Sequence, residues 1–302
     1  SNNEFSQPAD SGKTDLHQKL LDSLHWVASK VREHRPLWVV CMGDVFHVPG
    51  LVDSASLQVA WQGFGEISEA AKEVGATFKI LVGNHDTSFM RGGEHILHSI
   101  PFFDGMDQGD PRVVASPSRF EVSAPKKKRK ADPSFSGKAL FIPYTDDYPL
   151  VEKLIEEASS EGPLDFIAVH VDALDTMWNT GKRSTIGVST RIAEKVGIPV
   201  FNGHHHHPEH PNKLWTNVGS LMYRSFQDSL TSLPRGLVLL HADGAVAREE
   251  NPHTDVFHTI RSPLVEEQWD ELASRDLSPR INLRILGSEE EISSLQLARP
   301  SS

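Results

Sequence analysis

In the first third of the chain, segments with hydrophobic residues at helical spacing alternate with short, continuous hydrophobic runs. Over residues 15–34, leucine and valine recur every three or four positions, which predicts an amphipathic helix. The apolar run at 37–42 is short and continuous, which predicts a strand covered on both faces. A second helix is predicted over 55–74 and a second covered strand over 77–82. This order of helix, strand, helix and strand is typical of a layered α/β fold.

The middle of the chain repeats this alternation after a predicted hairpin. Residues 112–143 have two strand-like ends around a long polar tip, which predicts antiparallel pairing. A helix is then predicted over 149–159, followed by a strand that ends at His170. Another helix is predicted over 189–196, followed by a strand that ends at His204. Both of these strands therefore end in a histidine.

Shorter strands are predicted towards the end of the chain. The segments 214–219, 236–242 and 245–250 are predicted to be antiparallel strands that complete a second sheet. The remaining residues are more polar and contain new helix and strand signals. We therefore predict one large domain over 1–252 and the opening of a small α+β domain over 253–302.

Composition narrows the class of protein. Of the 302 residues, 38% are hydrophobic, yet no run approaches the ~18 consecutive apolar residues of a membrane span. The first residues lack the apolar core of a signal peptide. We therefore expect an intracellular, cytoplasmic protein without membrane contact. The single cysteine, Cys41, excludes an internal disulfide and a cysteine-rich metal site.

The charge balance is acidic. A net charge of −11 results from 30 basic and 41 acidic residues, which argues against a general polyanion-binding surface. A local basic groove around bound cations could still hold a phosphate. Five basic residues form one run within PKKKRK at 125–130. This run resembles a nuclear-import signal, and a solvated loop tip and a nucleic-acid contact are the two other interpretations.

Polar side chains that can bind metals stand where four of the predicted strands end. They are Asp44, Asn84 with His85, His170, and His204 with His206. In open α/β sheets, ligands bind at the carboxyl ends of the strands, so we expect these residues to converge. Carboxylate, amide and imidazole together suit Mn, Fe or Zn. A carboxylate can also bridge two ions, and two ions ~3.5–4 Å apart can bind a phosphate and activate a water. The pattern predicts two divalent ions, with Mn preferred.

These segments resemble the calcineurin-like metallophosphoesterases, whose blocks are D-x-H, G-D, G-N-H-D/E, a lone His and G-H-x-H. The last four blocks are present in order. GDVFH, VGNHD, FIPY and FNGHHHH with NVGS are most similar to the SbcD-type nuclease subunits of double-strand-break repair. The resemblance covers about residues 1–250, and 253–302 resembles the start of the capping domain of those subunits. It implies a layered β-sandwich flanked by helices.

The resemblance also implies a set of metal ligands. Asp44 would bridge the two ions, and Asn84, His170 and His204 would bind one of them. His206 would bind the other ion. Alternation along an extended segment sends neighbouring side chains to opposite sides, so the histidines that flank His206 would face away from the metals.

Three further residues receive roles from the resemblance. His85 would be the acid that protonates the leaving oxygen, because an imidazole is suited to this task near neutral pH. Asp86 would not bind a metal itself but would orient the metal ligands. His47, in GDVFH, would contact the substrate phosphate.

The first block of the family departs from its usual form. Asp15-Leu16-His17 matches D-x-H in letters, but it lies inside a predicted helix. Asn2 and Glu4 stand at the usual distance before Asp44, with Asn in place of Asp and Glu in place of His. Two interpretations stay open: the block precedes Ser1, or it is degenerate and the second metal is weakly bound.

The resemblance implies metal-dependent hydrolysis of phosphodiester bonds in DNA by an exonuclease or endonuclease subunit of a repair or recombination complex. DNA, an SMC-like ATPase subunit and a second copy of the chain in a homodimer are the expected partners. Two alternatives remain. One is a phosphatase or small-nucleotide phosphodiesterase on the same fold, because a fold does not fix a substrate. The other is a regulatory subunit with weakened catalysis.

Overall fold

The structure is a computed structural model, and it describes most of the chain. The described residues are 15–47, 52–87, 97, 112–122, 137–178, 181–223, 233–261 and 281–286, with 256–261 and 281–286 described as backbone. Within these residues the helices are α1 (Asp15–His34), α2 (Ser54–Val74), α3 (Tyr148–Ser160) and α4 (Arg191–Val196).

The strands form two main sheets. The strands of the first are β1 (Trp38–Cys41), β2 (Thr77–Leu81) and β3 (Val113–Val114), and those of the second are β4 (Ser118–Glu121), β5 (Lys138–Ile142), β6 (Phe166–Val169), β7 (Val200–Asn202) and β8 (Trp215–Asn217). Each sheet runs in numerical order. All neighbours are parallel except β4 and β5, which are antiparallel. The predicted hairpin is therefore confirmed, while its tip, including 125–130, lies outside the described residues.

Alternating side chains of β6 show how the layers are assembled. Phe166 and Ala168 join a core between the two sheets, together with Phe141 of β5. Ile167 and Val169 point the other way and pack beneath α3 and α4. The helices α1 and α2 cover the outer face of the first sheet. Because β6 is buried on both faces, its sequence is uniformly apolar, and the predicted layered β-sandwich flanked by helices is confirmed.

The predicted direction of β8 is wrong. Residues 214–219 were expected to run antiparallel in a second sheet, but β8 pairs in parallel with β7 at the edge of the five-stranded sheet. The segment 203–214 carries the chain back across the sheet, which is the crossover of about a dozen residues that a parallel pair requires. The strands β9 (Gly236–Leu240) and β10 (Val246–Glu250) form the predicted antiparallel hairpin as a separate ladder.

The expectation that 37–42 is covered on both faces is confirmed, because Val39 and Cys41 pack against the core beneath α1 and α2, while Trp38 and Val40 pack against the core between the sheets. One edge of the strand is open, however. All four residues of β1 are half-buried, and among the described residues β1 pairs with β2 alone. A cavity of about 570 Å³ opens along its other edge and is bounded by apolar side chains of β1, β9 and α1. Apolar composition therefore predicted the strand and its two covered faces correctly, but not its open edge.

The last part of the chain is described only in part. The strands β11 (Val256–Arg261) and β12 (Ile281–Leu286) pair in parallel. The domain boundary at 252/253 stays a prediction, and Asn2 and Glu4 lie outside the described residues. No helix in the described segments is long and apolar enough to cross a membrane.

Candidate metal centre

The candidate metal centre lies where four parallel strands end. Asp44 follows β1, Asn84 follows β2, His170 follows β6 and His204 follows β7. Parallel strands in one sheet deliver their carboxyl ends to one edge, and the two sheets are stacked, so these four side chains meet. The chain turns sharply before the first of them, because Asp44 itself has a positive φ of 55°.

Four ligand atoms converge, each within 3.4 Å of at least one other. Oδ1 of Asn84 lies 3.1 Å from Nε2 of His170 and 3.0 Å from Nδ1 of His204. The two imidazole nitrogens are 3.3 Å apart, and Nε2 of His170 lies 3.4 Å from Oδ2 of Asp44. Ligands bound at ~2.1 Å to one ion lie ~3.0–3.4 Å from each other in octahedral or tetrahedral geometry. The spacing therefore matches a single metal ion.

Hydrogen bonds behind the two histidines fix which nitrogen faces this centre. Nδ1 of His170 lies 2.6 Å from the carbonyl oxygen of Met42, which can only accept, so Nδ1 carries the proton. Nε2 of His204 lies 3.1 Å from Oδ1 of Asp172, so this nitrogen carries the proton. In the neutral rings, Nε2 of His170 and Nδ1 of His204 then present lone pairs to the centre.

With both rings neutral, the centre is therefore a set of four electron-pair donors with no hydrogen between them. Two imidazole nitrogens, the amide oxygen of Asn84 and the carboxylate of Asp44 face one another. Burial acts to raise the pKa of Asp44, but a His170 ring protonated on Nε2 pairs with the carboxylate, outweighs burial and lowers the pKa to about 2. A divalent cation would take the place of that proton. A divalent cation satisfies all four groups at once, and this mixed N/O set suits Mn, Fe or Zn. The residues present fit the metal that the sequence predicts.

Two glycines let the strands approach closely enough to form this centre. A Cβ on Gly83 would lie 2.2 Å from Oδ1 of Asp44 and 2.8 Å from Cε1 of His170. A Cβ on Gly43 would lie 2.5 Å from Nδ1 of His170. Real Cβ atoms do not approach other atoms this closely, so any side chain at either position would push the ligands apart.

Asp86 holds the turn that carries Asp44. Its Oδ2 accepts hydrogen bonds from the backbone N–H of Asp44 at 2.9 Å and of Gly83 at 3.0 Å. Its Oδ1 accepts from the N–H of Phe46 at 3.3 Å. Burial raises the pKa of Asp86 to about 7, against the opposite effect of the Gly83 amide. Asp86 thus acts on the backbone of the site and not on the metal ligands' side chains.

His85 lies beside the centre without contributing a ligand atom to it. Its backbone N–H donates to Oδ1 of Asp44 at 2.9 Å. Its ring donates from Nδ1 to the carbonyl oxygen of His47 at 2.6 Å. The ring of His47 is exposed and stacks on that of His85, with centroids 5.5 Å apart and an angle of 21°. When the His85 ring is protonated, the proton on Nε2 is the one it can transfer.

The histidine run behaves as the alternation predicted. His205 and His207 are buried, each 1% exposed, while His204 and His206 are partly accessible. His206 lines a cavity of about 390 Å³ together with Asp44, His47 and His85. Among the described residues, the acidic and histidine ligands that meet are Asp44, His170 and His204. The role of His206 at a second ion therefore stays a prediction.

Sequence reasoning missed several residues that surround His204. Asp172 binds its distal nitrogen, and the hydroxyl of Tyr148 donates to Oδ2 of Asp172 at 2.7 Å. The rings of Tyr144 and Trp178 pack against His204, with centroids 6.0 and 5.5 Å away. The only signal for Asp172 was its position two residues after His170, just beyond the same strand end.

Comparison with known proteins agrees with this site. The family model described as calcineurin-like phosphoesterase matches residues 14–208, which is more than half of the chain. No curated protein matches the chain closely enough to count as a relative. The matched range includes Asp44, Asn84, His170 and His204, the four residues whose ligand atoms converge. The chain therefore belongs to the calcineurin-like phosphoesterase family and is a metal-dependent phosphoesterase.

Proposed function

We propose that this protein is a nuclease that hydrolyses phosphodiester bonds in DNA, with a preference for DNA ends. The observation that carries the proposed chemistry is the placement of His85, which adjoins the four converging ligand atoms while its Nδ1 is held 2.6 Å from a backbone carbonyl. The choice of DNA is supported by GDVFH, VGNHD and FIPY, which resemble the corresponding segments of the repair nucleases.

Asp44, Asn84, His170 and His204 would hold one divalent ion, and His206 with Asp44 would hold a second. Bound ions of this kind polarise a phosphate and lower the pKa of a coordinated water towards neutrality. Hydrolysis would form a bond from a water oxygen to phosphorus as the bond from phosphorus to the ester oxygen breaks, and the proton lost by the water would pass to solvent. In this proposal, the departing oxygen takes the proton from Nε2 of His85, and the His47 carbonyl keeps the ring in position throughout.

His47 supports a substrate with a diester backbone. Its ring is exposed and stacks on His85, on the wall of the 390 Å³ cavity that also contains Asp44. An imidazole at this place can donate to a phosphate oxygen next to the reacting bond. Because the chain carries a net charge of −11, we expect such local contacts, and not a broad basic surface, to bind DNA. Binding should therefore depend weakly on salt.

The experiment compares substrates at equal concentration with Mn²⁺ present. They are an end-labelled linear duplex, the same DNA as a closed circle, bis(p-nitrophenyl) phosphate and p-nitrophenyl phosphate. We expect cleavage of the linear duplex and of the diester, with slower cleavage of the circle and of the monoester. His85→Ala protein, loaded with metal, serves as the control for contaminating nucleases.

Two outcomes would replace this proposal. Efficient hydrolysis of phosphomonoesters or cyclic nucleotides, with DNA left intact, would establish the phosphatase or small-nucleotide phosphodiesterase alternative. A protein that binds metal fully but turns over none of these substrates would establish the regulatory-subunit alternative.

A further inference from the structure

His204 contacts different chemical groups through its two ring nitrogens. Nδ1 faces the candidate metal centre, 3.0 Å from Oδ1 of Asn84. Nε2 points away from it, 3.1 Å from Oδ1 of Asp172. A neutral imidazole has one proton, and the nitrogen that holds it cannot bind a metal. The competence of His204 as a ligand therefore depends on keeping that proton on Nε2.

Asp172 holds the proton on Nε2 of His204. Its side chain is buried, and its Oδ1 lies 3.1 Å from Nε2 of His204. A carboxylate oxygen can only accept, so the contact requires a hydrogen on the imidazole. The second oxygen of Asp172 accepts the hydrogen bond of the Tyr148 hydroxyl at 2.7 Å. Rotation of the carboxylate away from His204 would break the bond to Tyr148 as well.

Tyr148, which binds Asp172, is itself held at the start of a helix. Tyr148 is the first residue of α3. The start of that helix is fixed by Asp147, whose side chain accepts from the N–H of Leu150 at 3.1 Å. A chain of contacts thus runs from the start of α3 through Tyr148 and Asp172 to His204.

The neighbouring histidine is fixed by the same segment. Nε2 of His205 accepts the backbone N–H of Ala173 at 3.1 Å, and the hydroxyl of Thr176 lies 3.1 Å from the same nitrogen. Residues 172–176 therefore hold two consecutive rings of the histidine run.

We propose that Asp172, oriented by Tyr148, is the positioning residue that keeps His204 in the tautomer and orientation needed to bind the metal. This inference rests on the proposed metal-dependent function. A carboxylate behind a metal-binding imidazole fixes the ring and increases its basicity, and losing such a partner typically costs about 10–100-fold in metal affinity.

The test measures Mn²⁺ affinity by competition with a chelating dye in four proteins with verified folding. Asp172→Ala should weaken binding by about 10–100-fold, with an unchanged number of sites. Tyr148→Phe keeps the carboxylate and should weaken binding by less than about tenfold. Asp146→Ala removes an exposed carboxyl from the loop before α3 and should leave affinity unchanged, which controls for the loss of a negative charge.

A second measurement does not require metal. Nitrogen-15 NMR of the histidine rings in metal-free protein, with His204 assigned from a His204→Gln variant, should show the proton on Nε2 in the wild type. In Asp172→Ala the ring should become a mixture of tautomers. This signature separates a positioning role from a general loss of stability.

The outcomes distinguish the inference from the function on which it rests. If folded Asp172→Ala binds Mn²⁺ as tightly as the wild type, or if wild-type His204 carries its proton on Nδ1, the role of Asp172 is overturned. If the wild type takes up no Mn²⁺, the proposed metal-dependent activity is overturned, and the NMR measurement still decides the role of Asp172.

Discussion

The carbonyl oxygen of His47 lies 2.6 Å from Nδ1 of His85, so the backbone of residue 47 holds the ring that we propose as the acid. The two side chains at these positions therefore have separable tasks. His85 would transfer a proton, and the exposed ring of His47 would contact the phosphate. Substituting His47 removes its ring but keeps its carbonyl.

His85→Ala should lower kcat for bis(p-nitrophenyl) phosphate by about 10²–10⁴-fold, the usual contribution of a positioned acid. Metal content should not change, because the ring supplies no ligand atom and the bond from the His85 N–H to Asp44 is a backbone bond. Elemental analysis of the purified variant measures the metal. Loss of metal from this variant would show that His85 is a ligand.

His47→Ala is the matched control. It should raise KM more than it lowers kcat, because a contact made equally in the ground state and the transition state affects binding alone. An equal fall in kcat in both variants would show that the ring of His47 takes part in the chemistry.

Removal of metal should abolish activity and destabilise the protein. Without a cation and with neutral rings, the oxygens of Asp44 and Asn84 face the lone pairs of His170 and His204. Mn²⁺ at 100 times its Kd should stabilise the fold by about 2.7 kcal/mol. For a chain of 302 residues this corresponds to an increase in Tm of about 4 °C. Thermal unfolding with excess chelator, then with Mn²⁺ restored, measures the shift.

Asp44→Asn serves as the control for this experiment, because it weakens the site without removing a strand contact. It should show a smaller shift at the same Mn²⁺ concentration. Full activity of the wild type in excess chelator, together with an unchanged Tm, would contradict metal dependence.

The positions of the strand ends could be predicted from the sequence, and they explain why much of the site was predictable. Continuous apolar runs predicted β2 and β6, and the polar residue after each run had to lie at the same edge. Asn84 and His170 were found in this way. Both residues could be found from local sequence, because the change from apolar to polar residues marks the end of each strand.

Features that depend on pairing between distant segments could not be predicted. Asp172 meets His204 only because β6 and β7 are neighbours in the sheet. The sequence of either strand alone does not predict which strand lies beside it. The parallel direction of β8 was missed for the same reason, because apolar spacing is the same in either direction. The partial exposure of β1 follows from a cavity beside it, which its own residues do not reveal.

Asn202 should couple the stability of the sheet to metal affinity. Its buried side chain accepts from the N–H of Val171 at 3.1 Å and donates to the carbonyl of the same residue at 2.9 Å. Val171 adjoins His170, and Asn202 itself precedes the histidine run. Asn202→Ala leaves both backbone groups without these bonds and should cost about 1–3 kcal/mol per buried group. It should also weaken Mn²⁺ binding.

Asn212→Ala tests whether the two effects are linked. Asn212 joins the start of β8 to the residue before α4, accepting from the N–H of Trp215 at 2.8 Å and donating to the carbonyl of Thr190 at 2.9 Å, and it contacts none of the four ligands. It should lower the urea midpoint without changing metal affinity. Equal loss of affinity in both variants would mean that general destabilisation, and not the contact with Val171, weakens the site.

Gly83→Ala should destroy metal binding although every ligand remains. The added Cβ would lie 2.2 Å from Oδ1 of Asp44 and 2.4 Å from its backbone nitrogen. The backbone of Asp44 cannot move aside as easily as the end of a flexible side chain. The new methyl group would therefore push the turn at Asp44 away from His170. We expect Mn²⁺ affinity to fall at least about tenfold, with a loss of about 1–3 kcal/mol in the free energy of unfolding from the crowding.

Gly75→Ala separates the effect of crowding at the metal from the effect of losing a glycine. Gly75 ends α2 with a φ of 73°, and a Cβ there would meet nothing within 4 Å. Alanine is disfavoured in this left-handed conformation by about 1–2 kcal/mol. The two variants should therefore lose similar stability in urea, while a dye competition assay shows weakened Mn²⁺ binding for Gly83→Ala alone. Wild-type affinity in Gly83→Ala would mean that the ion does not lie among Asp44, Asn84, His170 and His204, because that arrangement cannot survive a methyl group between its strands.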